Sequence, residues 1–215
     1  MLNVALKSMA RKSRRLAHKL LADRRGVAAI EFAMVVPIML VLFLGTVEFS
    51  IGVATNRKVQ LMAQALSDLT SRSSSVSNAD LTNFFAAGNG IMTPYVPPTY
   101  SATTRTITEL WIDPSTGNAR VQWSQGSAPR GQSTFVTVPP NLIVLDPVTK
   151  AIVPGQYLIY SEVGFVYTPV VNYTMNLANN PTFNFADVAY TRPRQGSCVI
   201  YPTPSSGAFP ACPTL

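Results

Sequence analysis

The chain has 215 residues, of which 47% are hydrophobic and only 13% charged, so it is no disordered tail and has room for one ordinary domain beside an anchoring segment. Its net charge of +7 resides entirely in residues 1–25, where eight Lys/Arg accompany the single acid Asp23; from Gly26 onward nine basic residues balance nine acidic ones. The body of the protein therefore lacks the electrostatic footprint of a DNA or RNA binder, and nucleic acid is not an expected partner.

The basic leader, which also holds the sole histidine, His18, stops where an apolar run begins. Lys/Arg on one flank of such a run hold that flank in the cytoplasm, a reading preferred here over a merely solvated basic arm. From Val27 to Val53 the sequence is apolar but for Glu31 and Glu48, with no charge between Phe32 and Val47. At about 1.5 Å per residue this stretch crosses a hydrocarbon core of roughly 30 Å with some tilt. Pro37 removes one backbone hydrogen bond, which a membrane helix tolerates with a kink. A secretory signal would have a core of only about 7 to 15 residues and a small-x-small cleavage site, loosely supplied by Gly52–Ala54. A plain anchor fits the length but leaves Glu31 unexplained, since a carboxylate at membrane depth costs about 2.5 kcal/mol or more. A prepilin-type leader is the third alternative.

The run "GVAAIEFAMVVPIMLVLFLGTVEFS", with Gly26 followed five residues later by Glu31 and then Phe32, and with Pro37, Gly45 and "VEF" at Val47–Phe49, resembles the N-terminal signature of TadE/TadG-type assembly proteins of Tad (Flp) type IVb pili. That resemblance implies cleavage by a prepilin peptidase between Gly26 and Val27, with Glu31 and Phe32 as recognition and assembly residues. It implies as partners the peptidase, other Tad pilins, the inner-membrane assembly machinery and the lipid bilayer, with no cofactor and no small-molecule substrate. The chemistry is coherent: cleavage exposes an ammonium on Val27, and a neighbouring subunit's Glu31 is its natural counter-charge in a low-dielectric bundle. "SEVGFVYTPV" and "AYTRPRQG" also resemble late elements of the family, with no role implied for Arg192 or Arg194; arginines around a proline read first as a solvated or carboxylate-paired turn.

Past the membrane segment, Val59, Met62, Leu66 and Leu69 recur at helical spacing among polar residues, predicting an amphipathic helix to about Thr70. Its stripe is expected to pack on the protein's own sheet rather than on a partner helix. "SRSSSVSN" ends the pattern, and Ser77 or Asn78 caps a short helix through Ala87. Sixteen of the 17 prolines lie at or beyond Pro94, which favours strands and loops there. Alternation predicts strands at Thr104–Asp113 and Ala119–Ser124, joined by the turn "PSTGN", and further strands at Ser133–Val138, Leu142–Leu145, Tyr157–Tyr167 and Ala186–Thr191. Trp111, Trp123, Tyr157, Tyr160 and Tyr167 read as strand core rather than as a sugar-binding platform. Cys198 and Cys212, thirteen residues apart, are too few for zinc and form no CxxC, so a disulfide is expected if the tail lies outside the cytoplasm.

Nothing predicts catalysis or a metal site: no histidine follows the leader, and no phosphate loop follows a strand. Glu109, Asp113 and Glu162 either meet in the sheet as paired carboxylates or are isolated surface acids. The expected class is α+β: a leader (1–26), a transmembrane helix (27–54), a helical stem (55–93) and a β-rich, proline-containing periplasmic head ending in the cysteine-bearing tail (94–215). The expected role is a non-enzymatic minor pilin or pseudopilin in the inner membrane, its N-terminus cytoplasmic. The alternative is an uncleaved, membrane-anchored envelope scaffold or adhesin.

Overall fold

The computed structural model describes residues 25–94, 103–169, 182–202 and 212–213. It divides into two compact units, Met1–Phe49 and Ser50–Leu215. Within the described residues the first unit consists of the apolar start of helix α1 (Arg25–Ser71), which runs through Pro37. The second contains the rest of α1, helix α2 (Asn78–Met92) and an antiparallel sheet of β1 (Thr103–Ile112), β2 (Ala119–Gly126), β3 (Phe135–Val136), β4 (Gln156–Tyr167) and β5 (Phe183–Thr191). The strand order is β3-β2-β1-β4-β5, so the fold is α+β as expected.

Alternation along β1 and β4 gives the sheet two apolar faces. Ile107, Ile159, Val163 and Phe165 pack with Val59, Met62, Ala63 and Leu66 of α1 and with Leu81 of α2, which confirms that the amphipathic stripe serves the protein's own core. The contact is also hydrogen-bonded: Ser161 Oγ donates to the Ala63 carbonyl at 2.6 Å and Ser67 Oγ lies 2.7 Å from Thr191 Oγ1. On the opposite face Leu110, Val121, Leu158 and Tyr160 are covered by Val136, Val138, Leu142, Ile143 and Ile152 from the segment between β2 and β4. All five aromatic residues assigned to the core are buried, between 3% and 9% exposed.

Local chemistry explains the boundaries. Ser77 caps α2 in a reciprocal capping box with Asp80. The helix extends beyond the expected Ala87 because its glycines do not end it. Gly88 lies against Met62, and Lys58 Nζ reaches the Ile91 carbonyl at 3.1 Å and also bonds the Thr93 carbonyl, satisfying groups that a helix end leaves open. The β1–β2 turn is held by Asp113, whose Oδ1 accepts from Ser115 N–H at 2.9 Å and Ser115 Oγ at 2.6 Å.

Two predicted strands are corrected. Between Ser133 and Val138 only Phe135–Val136 pairs, because Ser133 adopts a left-handed φ of 64° and Pro139 follows. Leu142–Leu145 forms no strand. Pro140–Leu142 is a 3-10 turn, Leu145 makes a single antiparallel bridge to Ile152, and Val144 is bonded partly by the Gln156 side chain, which accepts from its N–H at 2.7 Å and donates to its carbonyl at 2.9 Å beside the Val153 N–H.

The C-terminal segment is bound into this core. Ile200 forms a parallel bridge with Ser75, Val76 N–H donates to the Ile200 carbonyl at 2.9 Å, and Arg194 N–H caps the Ser71 carbonyl at 2.8 Å. Cys198 and Cys212 are disulfide-bonded, as expected, against Trp111 and Tyr157.

Two glycines separate backbone strain from soft packing. A Cβ on Gly126, whose φ is +144°, would lie 2.1 Å from the Arg105 carbonyl oxygen, whereas one on Gly88 would meet only side-chain atoms, the Met62 methyl at 2.9 Å, Met62 Cγ at 3.3 Å and Leu66 Cδ2 at 3.4 Å. Gly126→Ala is expected to cost at least about 2 kcal/mol in denaturant unfolding. Gly88→Ala should stay within about 1 kcal/mol of the parent, because helix propensity offsets the Met62 shift. Equal losses would contradict this assignment.

Candidate assembly site

Gly26, Val27, Glu31, Phe32 and Pro37 lie on the N-terminal part of α1 and are all exposed. Val27 and Glu31 are four residues apart and so share one face of the helix. Val27 is 51% and Phe32 70% exposed, and none of the most apolar 18-residue window of this helix is buried by the chain. By length and composition the helix suits a membrane anchor. A Cβ on Gly26 would meet nothing within 4 Å, so packing within the chain gives no reason for a glycine there. The same holds for Gly45.

The three acids considered as a paired-carboxylate site do not converge. Asp113 is taken by the turn, and hydrogen bonds from Ser115 hold its carboxyl at about 2. Glu162 accepts from Arg130 Nε at 2.8 Å, Arg130 Nη2 at 2.6 Å and the Tyr160 hydroxyl at 2.9 Å, on the sheet face away from α1. Glu109 is no surface acid: it is 1% exposed, on the face toward the helices. Its Oε2 accepts from Trp123 Nε1 at 2.9 Å and its Oε1 from the Val199 N–H at 2.5 Å, while Trp123 Nε1 also donates to the Val199 carbonyl at 2.8 Å. Burial pushes the Glu109 carboxyl up to about 8, against the opposing pull of the Val199 and Trp123 donors. The sequence does carry a signal for this position, since alternation places Glu109 on one face with Ile107 and Trp111. Arg194 pairs with Asp68, and Arg192 donates to the Leu142 carbonyl at 2.5 Å, so both belong to a partnered turn.

Residues 26–67 match the family model described as TadE-like protein. The matched segment begins at Gly26, takes in Glu31, Phe32 and Pro37, and ends on the part of α1 that packs under the sheet. No curated protein and no solved structure matches the chain. The chain is thus TadE-like over its long helix, and that likeness connects it with Tad pilus assembly.

Glu109 gives the head a defined pH response. Below about pH 4.5 its carboxyl is neutral in folded and unfolded chains alike, and its contribution to stability is fully present. As pH rises the unfolded chain ionises first, so stability is lost progressively until the folded group titrates near 8. Asp80, Asp113, Asp146 and Glu162 are held below their ordinary values by their hydrogen-bond partners, so their contribution changes in the opposite sense and at lower pH than that of Glu109. Denaturant unfolding of the solubilised chain should show a loss of about 3 to 5 kcal/mol between pH 5 and 8. Glu109→Gln, which keeps an acceptor but does not titrate, should flatten that slope; a variant as pH-dependent as the parent would refute the assignment.

Proposed function

From the TadE-like segment at residues 26–67 we propose that this chain is a minor pilin or pseudopilin-like component of a Tad-type pilus, cut by a prepilin peptidase between Gly26 and Val27. The observation that carries the reading is the start of the family match at Gly26, ahead of an apolar helix that the chain itself leaves uncovered. A glycine with no packing reason in its own chain suits a residue read by a protease, which needs close backbone approach.

Cleavage leaves an ammonium on Val27. Glu31 of a neighbouring subunit or partner pilin then supplies the counter-charge inside the membrane or the fibre. Such a pair gains Coulomb energy in a low-dielectric bundle and loses much of it to desolvation, so its main effect is to fix the register between helices. An acid on the apolar segment is then a docking element rather than a flaw in an anchor. The leader stays in the cytoplasm with its eight basic residues, and the head lies in the periplasm, where the Cys198–Cys212 disulfide is stable.

Processing and assembly separate under mutation. Replacing Gly26 by Leu should block cleavage, seen by intact mass as retention of residues 1–26. Glu31→Ala should be cleaved at least in part yet fail to assemble, since a partner's buried amine loses its counter-charge at a cost of about 3 to 5 kcal/mol. Glu31→Gln should be intermediate, because it keeps an acceptor without the charge. Pilus formation and co-purification with other pilins are the measurements. If the wild-type protein keeps its leader, or if Glu31→Ala assembles like the parent, the uncleaved anchored scaffold becomes the better reading.

A further inference from the structure

Half-buried Arg105 is not among the ion-paired arginines of the second unit. Among its arginines, Arg72 and Arg194 share Asp68, Arg120 pairs with Asp113 and Arg130 with Glu162. Arg105, on β1, has no such partner among the described residues. Its guanidinium lies 5.5 Å from the centre of the Phe85 ring and donates through Nη1 to Asn89 Oδ1. Burial holds the Arg105 pKa below its ordinary value, as expected of a cation taken out of water without a counter-charge. Residues 95–102, 170–181 and 203–211 contain no Asp or Glu.

Arg105 lies in a cleft of about 400 Å³, lined from α2 by Asn78, Leu81, Thr82 and Phe85 and from the sheet by Gln125, Gly126 and Ser127. The walls differ in chemistry. Phe85 supplies an aromatic surface, whereas Gly126, forced to be glycine by the close approach of the β1 backbone at Arg105 and Thr106, leaves bare backbone in the opposite wall. Asp80, on the first turn of α2, makes no ion pair with Arg105; its carboxylate accepts from Ser77 N–H at 2.9 Å and Ser77 Oγ at 2.7 Å. Guanidinium has five N–H donors in a planar fork, and this arrangement uses one of them on a side chain.

We propose that the Arg105 cleft is a docking site for an acidic side chain of a partner chain, taken up as a carboxylate on the guanidinium fork with an adjacent apolar residue against Phe85. The carboxylate supplies the ion-pair partner that Arg105 lacks among the described residues, and an extended acidic–apolar pair fits the two kinds of wall. The proposal concerns the head alone and does not depend on cleavage at Gly26 or on the role of Glu31.

The probe is an N-acetylated, C-amidated Leu-Asp-Phe tripeptide, titrated against the full chain in detergent micelles and followed through the arginine Nε–Hε resonances. Saturable binding in the millimolar range is expected, with the Arg105 signal shifting, and with affinity at least about tenfold weaker for the Leu-Asn-Phe peptide and for Arg105→Gln. Arg105→Lys keeps the charge without the fork and should lose part of the affinity, and Phe85→Leu should weaken both peptides alike. Equal binding of the Asp and Asn peptides, or undiminished binding to a folded Arg105→Gln, overturns the proposal. So does a Phe85→Leu variant that binds like the parent, or inorganic phosphate that competes at the same concentration as the peptide. If Arg105→Gln does not fold, the Asp-to-Asn comparison on the parent protein decides alone.

Discussion

The stripe of α1 formed by Val59, Met62, Ala63 and Leu66 is the contact on which the head depends, because it closes one face of a sheet that cannot close itself. Four of the five strands pair over most of their length, yet each sheet face still exposes apolar side chains until another layer covers it. On one face that layer is helical and on the other it is the irregular segment between β2 and β4. Leu66 is fully buried, and truncation of such a residue typically costs about 2 to 5 kcal/mol, a large fraction of what a domain of this size has to spare. The same helix therefore meets two demands. Its first part is exposed and apolar around its circumference, and its last part is apolar on a single stripe with Asp68, Gln60 and Gln64 elsewhere.

A second constraint acts at the other end of the chain. The segment around Val199 lies against Ser74–Val76 and closes over the Glu109–Trp123 pair. A buried carboxyl is costly unless bonded, and here both of its oxygens accept from donors that fix the C-terminal segment. The disulfide adds a covalent tie one residue from Val199, so polar and covalent restraints fall on the same few residues. The hydrogen bonds between Ser67 and Thr191 and between Ser161 and Ala63 work in the same manner at the helix: these buried polar groups find their partners across the helix–sheet contact.

Much of this was legible in the sequence, for physical reasons that differ between elements. β1, β2, β4 and β5 were predicted within a few residues because their alternation follows directly from facing two apolar layers. The α1 stripe was legible for the corresponding helical reason. The misreadings came where a tertiary contact replaces a local rule. The helix after Ser77 was expected to end at Ala87, but Gly88 is the point where α2 approaches Met62 and Lys58 holds the carbonyls beyond it. Leu142–Leu145 read as a strand, but a 3-10 turn takes its start, its backbone pairing shrinks to one bridge at Leu145, and the Gln156 side chain bonds the Val144 N–H. Glu109 read as surface or as half of a carboxylate pair, since its burial depends on Val199, ninety positions away, which no local window includes. The motif around Gly26 and Glu31 was legible as a resemblance because it needs no tertiary context at all: every residue in it is exposed on one helix.

These two kinds of residue differ in what they ask of the rest of the protein, and that difference bears on where partners act. Glu109 and the helix-facing serines have their bonds completed inside the chain, so they specify the head and nothing outside it. Glu31, Phe32 and the apolar surface of α1 have little completed inside the chain, and an apolar surface of that length in water is unfavourable at about 25 cal/mol per Å², so it requires lipid or other helices around it. Arg105 belongs with this second group although it sits in the head: its ring contact and single side-chain acceptor leave most of its donors and its charge to be answered from elsewhere. A half-buried guanidinium with no carboxylate in ion-pair reach among the described residues defines, by its own charge, the sign of what it can accept there.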